Sequence, residues 1–265
     1  MDLYKKLEET NISQIQKLYE FAAPFPHIYI DNFLPENFAS DLEKQCRALL
    51  VDQDNSDGIQ QKSKHSLNDW SLMPNLLRET CTFFNSGRFI NFLESITSVK
   101  ALISDPHLEG GGIHQTFKGG FLKMHTDFSW NKRIELNRRI NVLYYLNSTY
   151  KDEWGGNLLL SKCPSKEKEC DMKSIKPIFN RLLIFNTNDK TFHGHPSPLN
   201  FPVSYPRTSL AFYYYTFKKR LPSETTRFKS TKTRYIPSKG TKFNLKGTNI
   251  KSRLGYLFRK YIPFM

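Results

Sequence analysis

Apolar residues change their spacing part-way along the chain. Over the first hundred residues they recur at three- and four-residue intervals, the pattern of helices with one buried face. Residues 2–21 fit a helix, and PFPHIYIDNFLP then reads as an extended lead-in strand ending at Pro35. Phe38, Leu42, Cys46 and Leu49 set a helix over 35–50. The stretch 51–72 is polar and turn-rich without any period, so it is expected to be a loop. Pro74 suits the first turn of a further helix, where its missing N–H costs nothing. Leu77, Thr80, Phe84, Phe89, Phe92, Leu93 and Ile96 continue that apolar face, with a break at Ser86-Gly87.

Beyond residue 100 the period shortens to two. GIHQTFKGGFLKMHTDF, RRINVLYYLN, GGNLLLS, SIKPIF, RLLIFNT and RTSLAFYYYTF are short strands separated by Gly, Pro and Asn clusters. Helices first and strands after predict an α+β fold, with helices packed on one side of an antiparallel barrel or sandwich. Residues 1–100 form the support region, 101–217 the β core and 218–265 a tail. The tail ends in NIKSRLGYLFRKYIPFM, whose Ile250, Leu254, Leu257, Phe258 and Tyr261 share a helical face.

Charge separates body from tail. The chain carries +14, yet fourteen Lys and Arg lie from Lys218 onward against Glu224 alone, which leaves the body near neutrality. Such a tail suits solvent or an anionic surface, membrane or nucleic acid. A composition 38% hydrophobic and 14% aromatic excludes wholesale disorder, and no apolar run is long enough to span a bilayer. The start lacks the apolar stretch and cleavage site of a secretory signal, so a cytoplasmic location is expected. Cys46 and Cys81 fall on apolar helical positions, as buried thiols do. Cys163 and Cys170 flank a charged loop with neither a CxxC spacing nor two further ligands for zinc.

The candidate chemistry sits in the β core. In a strand, residues i and i+2 face the same way, so His125 and Asp127 present one imidazole and one carboxylate together. His193 follows a later strand and opens a turn containing Pro196 and Pro198. Two histidines and one carboxylate make a facial triad that holds Fe(II) and leaves positions open. Arg207, Ser209 and Ala211 then alternate on one face of the next strand. An arginine there suits a dicarboxylate, because its planar fork meets a carboxylate bidentately.

Taken in order, FPHIYIDNFLP, DPHLEGGGIHQTFKGGFLKMHTDF, RRINVLYYLN, WGGNLLLS, NRLLIFNTNDKTFHGHPSPL and RTSLAFYYYT resemble the prolyl-4-hydroxylase-like Fe(II)/2-oxoglutarate oxygenases over about residues 25–217. The resemblance implies a double-stranded β-helix (jelly roll) buttressed by N-terminal helices. It implies His125, Asp127 and His193 as iron ligands, His193 being preferred to His195 because the family's ligand follows an aromatic and precedes Gly; exchange of the two is the alternative. Arg207 matches the residue that pairs with the distal carboxylate of 2-oxoglutarate, Ser209 the second half of an Arg-x-Ser arrangement, and Tyr145 a tyrosine bonding the co-substrate. Asn141, on the Tyr145 face, is a further candidate. Gln115 stands where some members carry a co-substrate tyrosine. The implied reaction uses O2, releases succinate and CO2, and hydroxylates a C–H bond, with L-ascorbate as a plausible assistant. Peptidyl proline or another peptidyl residue is the first expected target, and a small metabolite or glycan precursor the second. Tyr213 stands where related nucleic-acid demethylases carry a second arginine, which counts against that substrate. From another class, the alternative is a catalytically silent β module whose tail binds an acidic partner.

Overall fold

The computed structural model describes residues 2–49, 58, 60–163, 171–217 and 232–235. Five α-helices are described, namely α1 Lys5–Glu9, α2 Ile12–Glu20, α3 Glu36–Ala48, α4 Asn75–Phe84 and α5 Gly87–Thr97. The strands are β1 His27–Ile30, β2 Gln61–Leu67, β3 Ile103–Ser104, β4 Gly112–Thr126, β5 Trp130–Asn131, β6 Leu136–Tyr145, β7 Leu158–Ser161, β8 Met172–Ile175, β9 Arg181–Asn186, β10 Phe192–His195, β11 Arg207–Thr216 and β12 Arg234–Tyr235. They build one curled antiparallel sheet in the order β1-β9-β6-β11-β4-β10-β7-β8. β4 is long enough to serve both ends: its first half pairs with β11 and its second half with β10.

Alternation decides what each face meets. Ile140, Val142 and Tyr144 of β6, Leu182 and Ile184 of β9, and Leu210, Phe212 and Tyr214 of β11 join one core with Phe38, Leu42, Leu77, Phe84, Phe89 and Leu93 from the helices. The intervening residues of the same strands face the concave side. Phe84 links the layers, its ring 4.5 Å from Phe212 and 5.9 Å from Tyr144.

Several expectations change in detail. The 2–21 helix is two helices, because Asn11 caps α2 by accepting from the Gln14 N–H. Ser86 caps α5 by accepting from the Phe89 N–H, at the expected break. Part of the expected 51–72 loop is strand β2, paired with β4 from Gln61↔Leu122 to Leu67↔Ile113. Its polar composition carries no periodic signal, since an edge strand is satisfied by backbone pairing alone. His193 lies in strand β10 rather than a turn. Cys46 and Cys81 are free and buried, whereas Cys163 is disulfide-bonded, a pairing that spacing does not report. Among the described residues no helix is long and apolar enough to cross a membrane. Of the basic tail, residues 232–235 are described; the amphipathic segment around 250–261 lies outside the described residues.

Candidate metal centre

His125 stands near the end of β4 and His193 lies directly opposite it on β10. Their rings are 4.3 Å apart between centroids. Asp127 follows two residues after His125, and one potential ligand atom from each of the three lies within 4.8 Å of the others. His125 Nε2 is 3.8 Å from one Asp127 oxygen and His193 Nε2 is 3.5 Å from the other. The register shifts between His193 and His195, so that His195 pairs with Leu122 instead. His195 lines the same cavity but stands outside the cluster.

Local chemistry presets each donor. His125 Nδ1 faces the Lys123 carbonyl at 2.8 Å, which places the proton there and leaves Nε2 its lone pair. Burial, aided by the neighbouring His193, pulls the His125 pKa down to about 3 although Asp127 opposes it. Burial likewise lowers His193. For Asp127 burial would raise the pKa, but the Arg138 guanidinium, the two imidazoles and the Asn141 amide outweigh it and hold the carboxyl far below the usual carboxylate range. The resulting donors are two neutral imidazoles and one carboxylate, the set that suits a divalent transition ion.

Two residues of β6 hold the carboxylate. Asn141 Nδ2 donates to Asp127 at 2.8 Å, and Arg138 Nη2 lies 3.1 Å from the same oxygen. Arg138 Nε in turn donates to Asn141 Oδ1 at 2.9 Å. The guanidinium lies 3.4 Å from the centroid of the Tyr213 ring and 4.6 Å from that of Phe128. Asn141 thus spends its amide on Asp127 and Arg138. Sequence reasoning missed Arg138 and assigned Tyr213 no function.

A second cluster gathers around Arg207. Arg207 is buried, its Nε donating to the Gly156 carbonyl at 2.7 Å and its Nη2 reaching the Tyr145 hydroxyl at 3.4 Å. Gly156 has a positive φ of 78°, and a Cβ there would stand 3.1 Å from Arg207 Cδ, so the close approach suits glycine. Ser209 lies between His114 on β4 and Tyr145 on β6. Arg207 and Ser209 line the cavity with the three clustered donors; Tyr145 stands behind Arg207 and is not part of the wall. The cavity encloses about 220 Å³. Gln115 points the other way, donating to the Cys46 carbonyl at 2.9 Å, while His114 and Thr116 face the cavity.

Two outer strands complete the wall. β2 brings Lys64, and β12 brings Tyr235, whose ring lies 5.0 Å from that of His125. Neither was singled out from sequence, Lys64 because it sat in an expected loop and Tyr235 because it sat in the tail.

The fold and cavity together define a curled-sheet protein with a histidine–carboxylate cluster that could hold a metal ion. Residues 111–215 match the 2OG-Fe(II) oxygenase superfamily. No curated protein matches the chain. Among solved structures, a prolyl hydroxylase from Trichoplax adhaerens, in complex with a hypoxia inducible factor oxygen degradation domain peptide fragment, aligns at 17% identity and TM-score 0.54, covering 80% of this chain and 91% of that one. A prolyl 4-hydroxylase from Phytophthora capsici aligns at 17% identity and TM-score 0.58, covering 98% and 75%. The non-heme alpha ketoglutarate dependent epimerase SnoN from nogalamycin biosynthesis aligns at 10% identity and TM-score 0.55, covering 85% of each chain. The chain therefore resembles the prolyl hydroxylases and other 2OG-Fe(II) oxygenases, as its motifs implied.

Proposed function

We propose that this protein is an Fe(II)- and 2-oxoglutarate-dependent dioxygenase that hydroxylates an unactivated C–H bond, with a peptidyl residue, proline first, as its target. The observation that supports it most is the convergence of His125, Asp127 and His193 in one cavity with a buried arginine, Arg207. In this reading the curled sheet is a double-stranded β-helix and the helices beside it are its buttress.

His125, Asp127 and His193 hold the iron. Arg207, backed by the Tyr145 hydroxyl and with Ser209 beside it, receives the distal carboxylate of 2-oxoglutarate. Asn141 and Arg138 keep Asp127 ionised and aimed. The bound pair would supply the redox chemistry, in which one atom of O2 goes into succinate as CO2 leaves and the other becomes a substrate hydroxyl. The sheet's contribution is to orient these groups and to limit water in the cavity. L-ascorbate would serve as an accessory reductant. The prolyl hydroxylase neighbours support a peptide target. A small-molecule or glycan-precursor substrate is the second reading, favoured by the cover that Tyr235 adds to the cavity.

The test is anaerobic titration with Fe(II) and 2-oxoglutarate, following the visible charge-transfer band of the chelate. The expected result is a band that Asp127→Ala abolishes or severely weakens. Arg207→Ala is expected to need about tenfold more 2-oxoglutarate, the loss of roughly 1.4 kcal/mol. A folded, metal-replete protein without the band would favour the silent binding module.

A further inference from the structure

β2 runs along the free edge of β4, and Lys64 pairs there with Thr116. On its other side Thr116 pairs with Arg207 of β11. Directly paired residues project to one face, so Lys64, Thr116 and Arg207 form a row across three strands, and all three line the cavity. With strands about 4.8 Å apart, the two basic residues start roughly 10 Å from each other, one on each side of β4. Their surroundings differ. Arg207 is buried against the Gly156 carbonyl and the Tyr145 hydroxyl, whereas Lys64 is partly buried on the outer strand, beside Gln61 at the cavity rim.

Among the described residues the Lys64 ammonium makes no hydrogen bond or ion pair. Asp127 is the only acid among the described residues of the cavity wall, and it is engaged by Arg138 and Asn141. Nearby His114 and His195 give no negative charge; burial holds both imidazoles well below their usual pKa. Burial also pulls the Lys64 pKa down to about 8, with Asp127 opposing and Arg207 assisting, so the amine still binds its proton at neutral pH.

Loading the proposed site does not change this. A divalent ion with Asp127, and a dianionic co-substrate with Arg207, cancel one another and leave Arg138 and Lys64 as the remaining cations of the described wall. Arg138 stays against the Asp127 oxygen and two aromatic faces. Lys64 feels Asp127 only at a distance and makes no hydrogen bond or ion pair among the described residues, and a partly desolvated cation so placed is costly until an anion arrives. We propose that the primary substrate carries an oxyanion, carboxylate or phosphate, and that Lys64 receives it and selects substrates by charge. This rests on the oxygenase reading of the same cavity.

The experiment follows acylation of Lys64 by the uncharged reagent N-hydroxysuccinimidyl acetate, read by mass spectrometry with exposed Lys100 as internal control. Protein is loaded anaerobically with Fe(II) and 2-oxoglutarate, the chelate band certifying occupancy throughout. Lys64 is expected to stay reactive in the loaded protein. Inorganic phosphate or acetate is then expected to slow its acylation about fivefold relative to chloride at equal ionic strength, as mass action requires at several times the dissociation constant. The anion that protects better identifies the source of the oxyanion. In a companion titration, Lys64→Met is expected to leave the 2-oxoglutarate requirement of the band within about twofold, against about tenfold for Arg207→Ala. The proposal is overturned if loading alone shields Lys64, if Lys64→Met weakens 2-oxoglutarate as Arg207→Ala does, or if neither anion protects beyond chloride while the band persists. Absence of the band removes the oxygenase reading itself and this proposal with it.

Discussion

Asp127 is an acid that burial alone would neutralise, and Arg138 leads the groups that keep it ionised, ahead of the two imidazoles and Asn141. Replacing Arg138 by Met leaves the carboxylate to Asn141 and the two imidazoles. The expected cost at neutral pH is about 3–5 kcal/mol, the usual consequence of breaking a buried pair, measured by urea unfolding of metal-free protein. The pH dependence has a definite sign. A depressed carboxylate pKa stabilises the fold above the unfolded value, about 3.9, and that stability is lost as pH falls through the folded value. The gap between wild type and Arg138→Met should therefore narrow as pH drops through the variant's higher Asp127 pKa; a gap constant with pH would refute the pairing argument. Asn141→Leu acts on aim, and should weaken Fe(II) binding about 10–100-fold, as loss of a ligand's supporting hydrogen bond does. The two histidines of β10 separate by the same titration: His193→Gln should lose the chelate band and His195→Gln should keep it. The pairing of His125 with Asp127 was legible because alternation in a strand is a local rule. Arg138 was not, because a register shift between Tyr214 and Tyr215 of the partner strand falls where Arg138 pairs, and brings residues three apart, Arg138 and Asn141, to the same side.

At the scale of elements, the period of two located most strands and the period near four located most helices, because each buries one face in the shared core. Two of the exceptions share a cause. β2 and β12 lie on β4's outer edge, where backbone pairing holds a strand whose side chains need no apolar pattern. β10 escaped for its length, four residues that include a glycine and two histidines. The unpatterned β2 and β12 carry Lys64 and Tyr235, so their part of the cavity wall was the least legible in the chain, whereas His193 was named from its own motif although its strand was not. Gly112 tests how tightly β2 is seated. It has φ of 83°, and a Cβ there would stand 2.3 Å from the Leu67 carbonyl oxygen. Gly112→Ala is expected to cost on the order of 1–3 kcal/mol in strain and to displace β2. Amide hydrogen exchange should show lost protection along Gln61–Leu67 while α3 to α5 keep theirs. Unchanged protection in β2 would mean that its pairing does not depend on the close approach.

Across the whole molecule, topology brings a short piece of the basic tail to one edge of the cavity. The tail holds most of the chain's net positive charge, and residues 232–235 return to pair with β4 beside His125. His125 thus lies between β10 on one side and β12 on the other. The tail read as a separate appendage in the sequence because a return of two residues, Arg234 and Tyr235, leaves no periodic trace. So short a pairing opens readily on its own, which makes it a cover rather than a part of the core. Truncation after Phe217 should therefore leave the unfolding transition of the body close to that of the full chain. It should also speed the loss of bound Fe(II) to an external chelator, since solvent would reach the His125 ring where Tyr235 now lies. Tyr235→Ala separates cover from charge, because it removes the ring and keeps every tail cation. If the ring is the cover, Tyr235→Ala should reproduce the faster metal loss, with little dependence on salt. If the tail acts through its field, metal loss should stay slow in Tyr235→Ala, and only truncation should reduce the salt sensitivity of 2-oxoglutarate association. Equal metal-release rates in all three proteins would show that β12 does not guard the centre.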